Sequence, residues 1–278
     1  MPPDLAHWID VVRRHPRPAR LVAARVLQWT GLSPLFTVTL DGYRLRFYPT
    51  NVSANLWINP QWRVHSLALF KDYCQDGDAA IDVGANVGEV SIILSARVGA
   101  RGRVYAFEPN PRIYRYLLGN LALNQRTNVT AANGAVGAAP GVTRLSDDRY
   151  DDMNRVLDSG GIEVRCTTLD EAVPAQPIAL LKVDVEGSEL RVLEGARDTL
   201  RRTACVNCEM IDENYRRYGY GMGDVIALLR ANGFQTFVMS ESRALRAIDS
   251  SFSEAGAHEL VAVRDPGDFV RRTGWRVR

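Results

Sequence analysis

Ala79-Ala80-Ile81-Asp82-Val83-Gly84-Ala85-Asn86-Val87-Gly88-Glu89 is the stretch that decides how this chain is read. An apolar run carrying one acid gives way to a tight turn of small residues. An amphipathic run from Val87 to Val98 follows. The pattern reads as strand, glycine-rich turn, helix. Gly84 and Gly88 let the backbone turn sharply and leave room for a ligand against it. Asn86 visits left-handed geometry more readily than most residues. A dinucleotide fingerprint would place Gly at 84, 86 and 89, but 86 is Asn and 89 is Glu. The turn therefore suits a nucleoside ligand without a pyrophosphate better than NAD.

Arg103-Val104-Tyr105-Ala106-Phe107-Glu108-Pro109-Asn110 is a second short strand ending in a carboxylate, twenty residues after Gly88. An acid at that position accepts hydrogen bonds from both hydroxyls of a ribose. Turn and acid at this spacing point to an adenosine-containing cofactor.

A third stretch, Leu180-Leu181-Lys182-Val183-Asp184-Val185-Glu186-Gly187-Ser188-Glu189, completes the set. Together the three resemble the FkbM family of S-adenosylmethionine-dependent methyltransferases. The marks are D-V-G-A-N at 82–86, F-E-P at 107–109 and K-V-D-V-E-G-S-E at 182–189, in that order. The resemblance covers the chain from near Phe36 to Val263. It implies an α/β class I methyltransferase fold: a Rossmann-like, seven-stranded, mostly parallel sheet with helices on both faces. It also implies S-adenosyl-L-methionine as cofactor, and O-methylation of a hydroxyl on a sugar, glycolipid or natural product. The candidate cofactor residues are Asp82, Gly84, Ala85, Asn86 and Gly88, with Glu108 and Pro109 after the second strand. A non-catalytic cofactor-binding or scaffold module of the same fold is the alternative, distinguished by binding without turnover.

The 278 residues divide into an N-terminal helical arm with a β-hairpin over 1–70 and a cofactor-binding domain over 71–278. Apolar residues, at 46%, are enough for a full core, and a net charge of +2 gives no global electrostatic case for nucleic acid. Lys71 and Lys182 are the lysines; the other basic residues are arginines spread along the chain, a bias not read as phosphate binding. No apolar run is long enough for a transmembrane helix. Asp4 and the lack of a long apolar leader argue against a signal peptide, so a cytoplasmic, reduced protein is expected. Cys205-Val206-Asn207-Cys208 has redox or zinc spacing, but it lies in a strand-like run where i and i+3 face opposite sides. Packing cysteines are expected there.

Leu5, Trp8, Ile9 and Val12 share one helical face, and Leu21, Val22, Arg25, Val26 and Trp29 share another. With Arg13, Arg14, Arg17 and Arg20 they make a basic arm. We expect it to pack on the core or on a second subunit, which makes it a candidate homo-oligomer contact. A membrane-surface or polyanion-binding arm is the other reading. Phe36–Leu40 and Tyr43–Tyr48, joined by Asp41-Gly42, read as a hairpin. Residues 51–62 read as an irregular segment that either lines the acceptor site or merely connects. From Ala79 strand and helix alternate, which gives a parallel sheet with ligands at the carboxyl ends of its strands. Val129 to Asn133 is the third strand, and Asn133 and Ala135 are cofactor candidates by position. Residues 138–177 break the rhythm, with short strands at 142–145 and 162–167 around an acidic run read as solvated loop. Strands at 234–239 and 258–263 finish the sheet.

Methyl transfer from a sulfonium requires acceptor oxygen, methyl and sulfur in line, dry surroundings and often removal of a proton. A sugar hydroxyl is a poor acid, so a base or a metal is expected. Asp184 ends the fourth strand and Glu209 the fifth, at the rim shared with Gly84 and Glu108. Both are candidate catalytic residues, and Asp184 also borders the cofactor. His258 is a third candidate base, although a lone histidine is more often structural. Asp184 and Glu209 could also hold a divalent cation, but they lack an evident third ligand and no metal is assigned. The expected partner is a small-molecule or glycan acceptor.

Overall fold

Every residue of Ala79–Val83 is buried, and so is every residue of Ile178–Val183. Strands with no solvated face belong inside a sheet covered by helices on both sides. The computed structural model describes residues 5–146, 155–157, 159–240 and 243–278. The arm holds α1 (Leu5–Arg14) and α2 (Pro18–Trp29), followed by β1 (Thr37–Leu40), β2 (Tyr43–Arg46), α3 (Asn51–Ile58) and α4 (Ala68–Tyr73). Then come β3 (Ala79–Val83), α5 (Glu89–Val98), β4 (Arg103–Phe107), α6 (Pro111–Leu123) and β5 (Val129–Ala132). Next are β6 (Ala135–Val136), β7 (Gly141–Leu145), β8 (Val156–Leu157), β9 (Ile162–Thr167) and α7 (Leu169–Ala172). The chain continues through β10 (Ile178–Val183), α8 (Glu189–Glu194), α9 (Arg197–Arg201), β11 (Thr203–Ile211), α10 (Asp212–Arg216) and α11 (Met222–Ala231). It ends with β12 (Gln235–Ser240), β13 (Ala244–Ala247), β14 (Ala257–Val263), α12 (Pro266–Thr273) and β15 (Arg276–Val277).

Among the described residues nine strands form one sheet in the order β15-β13-β12-β14-β11-β10-β3-β4-β5. From β5 to β11 all neighbours are parallel; β14 is inserted antiparallel between β11 and β12. This is the expected mostly parallel sheet, but with nine strands rather than seven. The two extra strands, β13 and β15, span four and two residues, too few for alternation to show. Ile92, Leu117 and Phe269 pack on one face, and Val192, Leu200 and Ile226 on the other. Cys205 belongs to the first core and Cys208 to the second, both buried and free. That is the packing role expected of them, on opposite faces as i and i+3 of a strand must be.

Strands β6, β9, β7 and β8 form a separate four-stranded sheet. Its β7 and β9 are the short strands expected at 142–145 and 162–167, paired antiparallel. The acidic run between them falls on residues 147–154, outside the described residues.

The Asp41-Gly42 hairpin forms as expected, with Leu40 opposite Tyr43 and Gly42 at φ 82. Residues 51–58, read as irregular, are the helix α3. Thr50 caps it, its hydroxyl accepting from Ser53 N at 3.1 Å, while Val52, Leu56 and Ile58 are buried. Asn51, Ser53 and Asn55 interrupt the apolar period, which hid the helix. Helix α2 packs on α3 through Leu21, Ala24, Phe47, Ala54 and Ile58. Gln28 Nε2 donates to Thr50 O at 3.0 Å and Arg17 Nη1 to Ile58 O at 2.9 Å. Only part of the stripe assigned to α2 is packed, since Leu21 is buried whereas Val26 and Trp29 face outward. Ala24 takes their place in the contact, because a small side chain lets two helices approach closely.

Candidate active site

Strands β3, β4 and β10 end at one rim, where a cleft of about 770 Å³ opens. The turn after β3 has Gly84 at φ 79, Asn86 at φ 47 and Gly88 at φ 90. Gly84 N and Ala85 N donate to Phe107 O at 3.0 and 2.9 Å, fastening the turn to β4. A Cβ on Gly84 would collide with the Asp184 carbonyl, 2.9 Å from its carbon, so only glycine lets β3 and β10 close at the rim. Glu108 is fixed by two backbone amides: Oε2 accepts from Asn86 N and Oε1 from Asn110 N, each at 2.9 Å. Asn110 also caps α6, its Oδ1 accepting from Arg112 N at 2.9 Å. A carboxylate oxygen can accept more than one donor, so this placement orients Glu108 without excluding ribose hydroxyls.

Lys182 joins the turn to the acids. Its side chain is 6% exposed, and Nζ lies 3.2 Å from Asp82 Oδ1 and 3.3 Å from Asp184 Oδ2. It also donates to Gly84 O at 2.8 Å. Burial disfavours the ammonium, but the charges of Asp184 and Asp82 outweigh it and hold the proton on. The other oxygen of Asp82 accepts from Ser91 Oγ at 2.6 Å.

Asp184, Glu186 and Glu209 bring one carboxylate oxygen each within 4.8 Å of one another. Glu186 is held in left-handed backbone, φ 54, with Asn214 Nδ2 donating to its Oε2 at 3.0 Å. Across the antiparallel pair Glu209 stands opposite Glu259, which accepts from Asn207 Nδ2 at 2.9 Å. Carboxylates so close cannot all ionise. The charge of Asp184, then burial, then Glu259 and Glu186 push Glu209 up to about 9, against the pull of Arg63. Glu209 therefore keeps its proton at neutral pH, while Asp184 is ion-paired to Lys182. Arg63 lies in the same wall, 3.7 Å from Oε2 of the buried Glu89, whose Oε1 accepts from Tyr43 Oη at 2.8 Å. Burial raises the Glu89 carboxyl, opposed by Arg63 and by the Tyr43 hydrogen bond. Glu186 also offers the third oxygen that the divalent-cation reading of Asp184 and Glu209 lacked.

Of the residues expected here, Gly84, Ala85, Asn86, Glu108, Pro109, Ala135, Asp184 and Glu209 line the cleft. Three others support it from behind. Asp82 is fully buried under Lys182, and Gly88 begins α5 where a Cβ would meet Leu117. Asn133 Nδ2 donates to Glu108 O at 2.8 Å and Pro109 O at 3.0 Å. His258 is not brought to the cleft. Its Nε2 faces the carbonyls of Glu254 and Ala255, and its ring stands edge-on to Phe252. Strand alternation turns Glu259 toward the acids and His258, paired with Met210, away from them. Trp62, from the segment left between two readings, does line the cleft. Arg63 and Glu259 were not assigned from sequence and belong to no motif, whereas Glu186 lies in the third motif beside Asp184.

A mostly parallel sheet with β14 inserted in reverse, a glycine turn after its first inner strand and an acid after the next define a class I methyltransferase. It is an enzyme that uses S-adenosylmethionine. The Methyltransferase FkbM domain matches residues 82–236, more than half of the chain, and the chain belongs to that family. It is 26% identical over 209 residues to the hexuronic acid methyltransferase AglP of Haloferax volcanii, covering 67% of this chain and 81% of that protein. It is 29% identical over 246 residues to the 31-O-demethyl-FK506 methyltransferase FkbM of Streptomyces tacrolimicus, covering 72% of this chain and 88% of that one. Among solved structures it is similar to an S-adenosylmethionine-dependent O-methyltransferase from Thermotoga maritima. There the TM-score is 0.43 at 16% identity, over 73% of this chain and 65% of that chain.

Proposed function

We propose that the chain methylates a hydroxyl oxygen of a sugar, glycolipid or natural-product acceptor. The supporting observation is that one cleft holds both the Gly84–Asn86 turn with Glu108 and the acid wall of Asp184 and Glu209. S-adenosylmethionine, when bound, supplies an electrophilic methyl group on a sulfonium. We assign its nucleoside to Gly84, Ala85, Asn86, Glu108 and the Ala135 end of the cleft. A hydroxyl becomes a good nucleophile as it loses its proton, a step worth about 10²–10⁴-fold when a base is positioned for it. Asp184, paired with the Lys182 ammonium, is the base in this reading, and protonated Glu209 donates a hydrogen bond that orients the acceptor. The names of two relatives, a hexuronic acid methyltransferase and a 31-O-demethyl-FK506 methyltransferase, support an oxygen acceptor. A divalent cation on Asp184, Glu186 and Glu209 is a second reading, favoured by their mutual 4.8 Å spacing.

The test is transfer from methyl-labelled S-adenosylmethionine into separated fractions of glycans, glycolipids and hydroxylated natural products, with the methyl located by NMR. A product methylated on oxygen is expected; methylation of nitrogen or carbon alone would refute the reading. Activity lost to a chelator and restored by a divalent ion would select the metal version.

A further inference from the structure

Val26, Trp29, Leu32, Leu35 and Phe36 are all exposed, Trp29 at 85% and Leu35 at 77%. Single exposed apolar residues are ordinary, but five within eleven residues of chain concentrate apolar surface on one segment, and such concentrations mark contacts. The same arm carries Arg13, Arg14, Arg17, Arg20 and Arg25 against Asp4 and Asp10, in a chain whose net charge is only +2. Arg14 pairs with Asp10 at 2.9 Å and Arg17 reaches the Ile58 carbonyl, while Arg13 and Arg25 are exposed. Among the described residues no helix is long and apolar enough to cross a membrane.

We propose that this arm docks the enzyme on an anionic membrane surface, its apolar residues among the headgroups and its arginines on lipid phosphates. An indole with one apolar and one polar edge favours that boundary. Basic residues beside an apolar patch add attraction to anionic lipid. A second copy is a poorer occupant, because a two-fold contact on this patch sets arginines against arginines. The proposal does not depend on which acceptor is methylated.

Flotation of the full chain with vesicles tests it, using phosphatidylcholine alone and phosphatidylcholine mixed in equal parts with phosphatidylglycerol. Binding to the mixed vesicles is expected, weakened by salt. The Trp29→Ser/Leu35→Ser variant should bind them about tenfold less tightly or worse. Arg13→Gln and Arg25→Gln should each weaken binding about fivefold. S-adenosylmethionine affinity should be unchanged in all of them, which shows the fold intact. Absence of binding to the mixed vesicles, or equal binding by parent and variants, overturns the proposal. So does a concentration-dependent dimer in light scattering that Trp29→Ser/Leu35→Ser abolishes, since the patch then belongs to a second copy.

Discussion

Replacing Lys182 with methionine should destabilise the fold far more than a single surface ion pair would. The ammonium sits between Asp82, fully buried, and Asp184, and it holds the Gly84 carbonyl at 2.8 Å. Without it Asp82 keeps only Ser91 as a polar side-chain partner among the contacts described above. Removing one partner of a buried ion pair costs about 3–5 kcal/mol, because the other charge stays behind. Against a total stability of about 5–15 kcal/mol that is a large fraction. For a chain this size it lowers Tm by roughly 10 °C. Urea denaturation followed by the fluorescence of the five tryptophans measures it. Asp82→Asn in the Lys182→Met background should recover part of the loss, since a neutral amide is cheaper to bury than an unpaired carboxylate. A Lys182→Met protein within about 1 kcal/mol of the parent, or strictly additive effects of the two substitutions, would refute the reasoning.

Glu108→Ala should weaken S-adenosylmethionine binding by about 1–3 kcal/mol in calorimetry, having lost both the ribose acceptor and the anchor of the Asn86 and Asn110 amides. Gly84→Ala, at φ 79 with its Cβ against the Asp184 carbonyl, should cost about 2–4 kcal/mol in the same denaturation experiment and abolish tight cofactor binding. Asp184→Asn should cut turnover about 10²–10⁴-fold with little change in cofactor affinity, whereas Glu209→Gln, an isostere of the protonated acid, should stay within about tenfold. Glu209 rises in the folded chain from its ordinary 4.5 to about 9, so its stabilising contribution is complete below 4.5 and is lost as pH climbs through 9. Glu209→Gln should therefore gain stability over the parent across that window, on the order of 1–3 kcal/mol by pH 9, read as a Tm difference that widens with pH.

The three motifs were legible because each couples a local pattern to a fixed place at the rim. A glycine turn after an apolar strand, an acid ending the next strand and a lysine two residues before an acid all act over short sequence distances. Strand alternation alone puts Lys182 and Asp184 on one side. What it cannot supply is the third partner. Asp82 reaches Lys182 because β3 and β10 are parallel neighbours with Lys182 opposite Asp82, a pairing between strands 100 residues apart. The same limit explains Glu259. Its own strand offers His258 as the more chemical-looking residue, and only the register against β11 shows that Glu259 faces Glu209 while His258 faces Met210. Arg63 follows a helix whose apolar period was broken by asparagines, so no pattern led to it, yet it is the cation that opposes the rise of both Glu89 and Glu209. The local part of the site, the turn and acids that line the cleft, was thus readable from sequence. The charge balance that tunes the acids was not, because register between distant strands sets it.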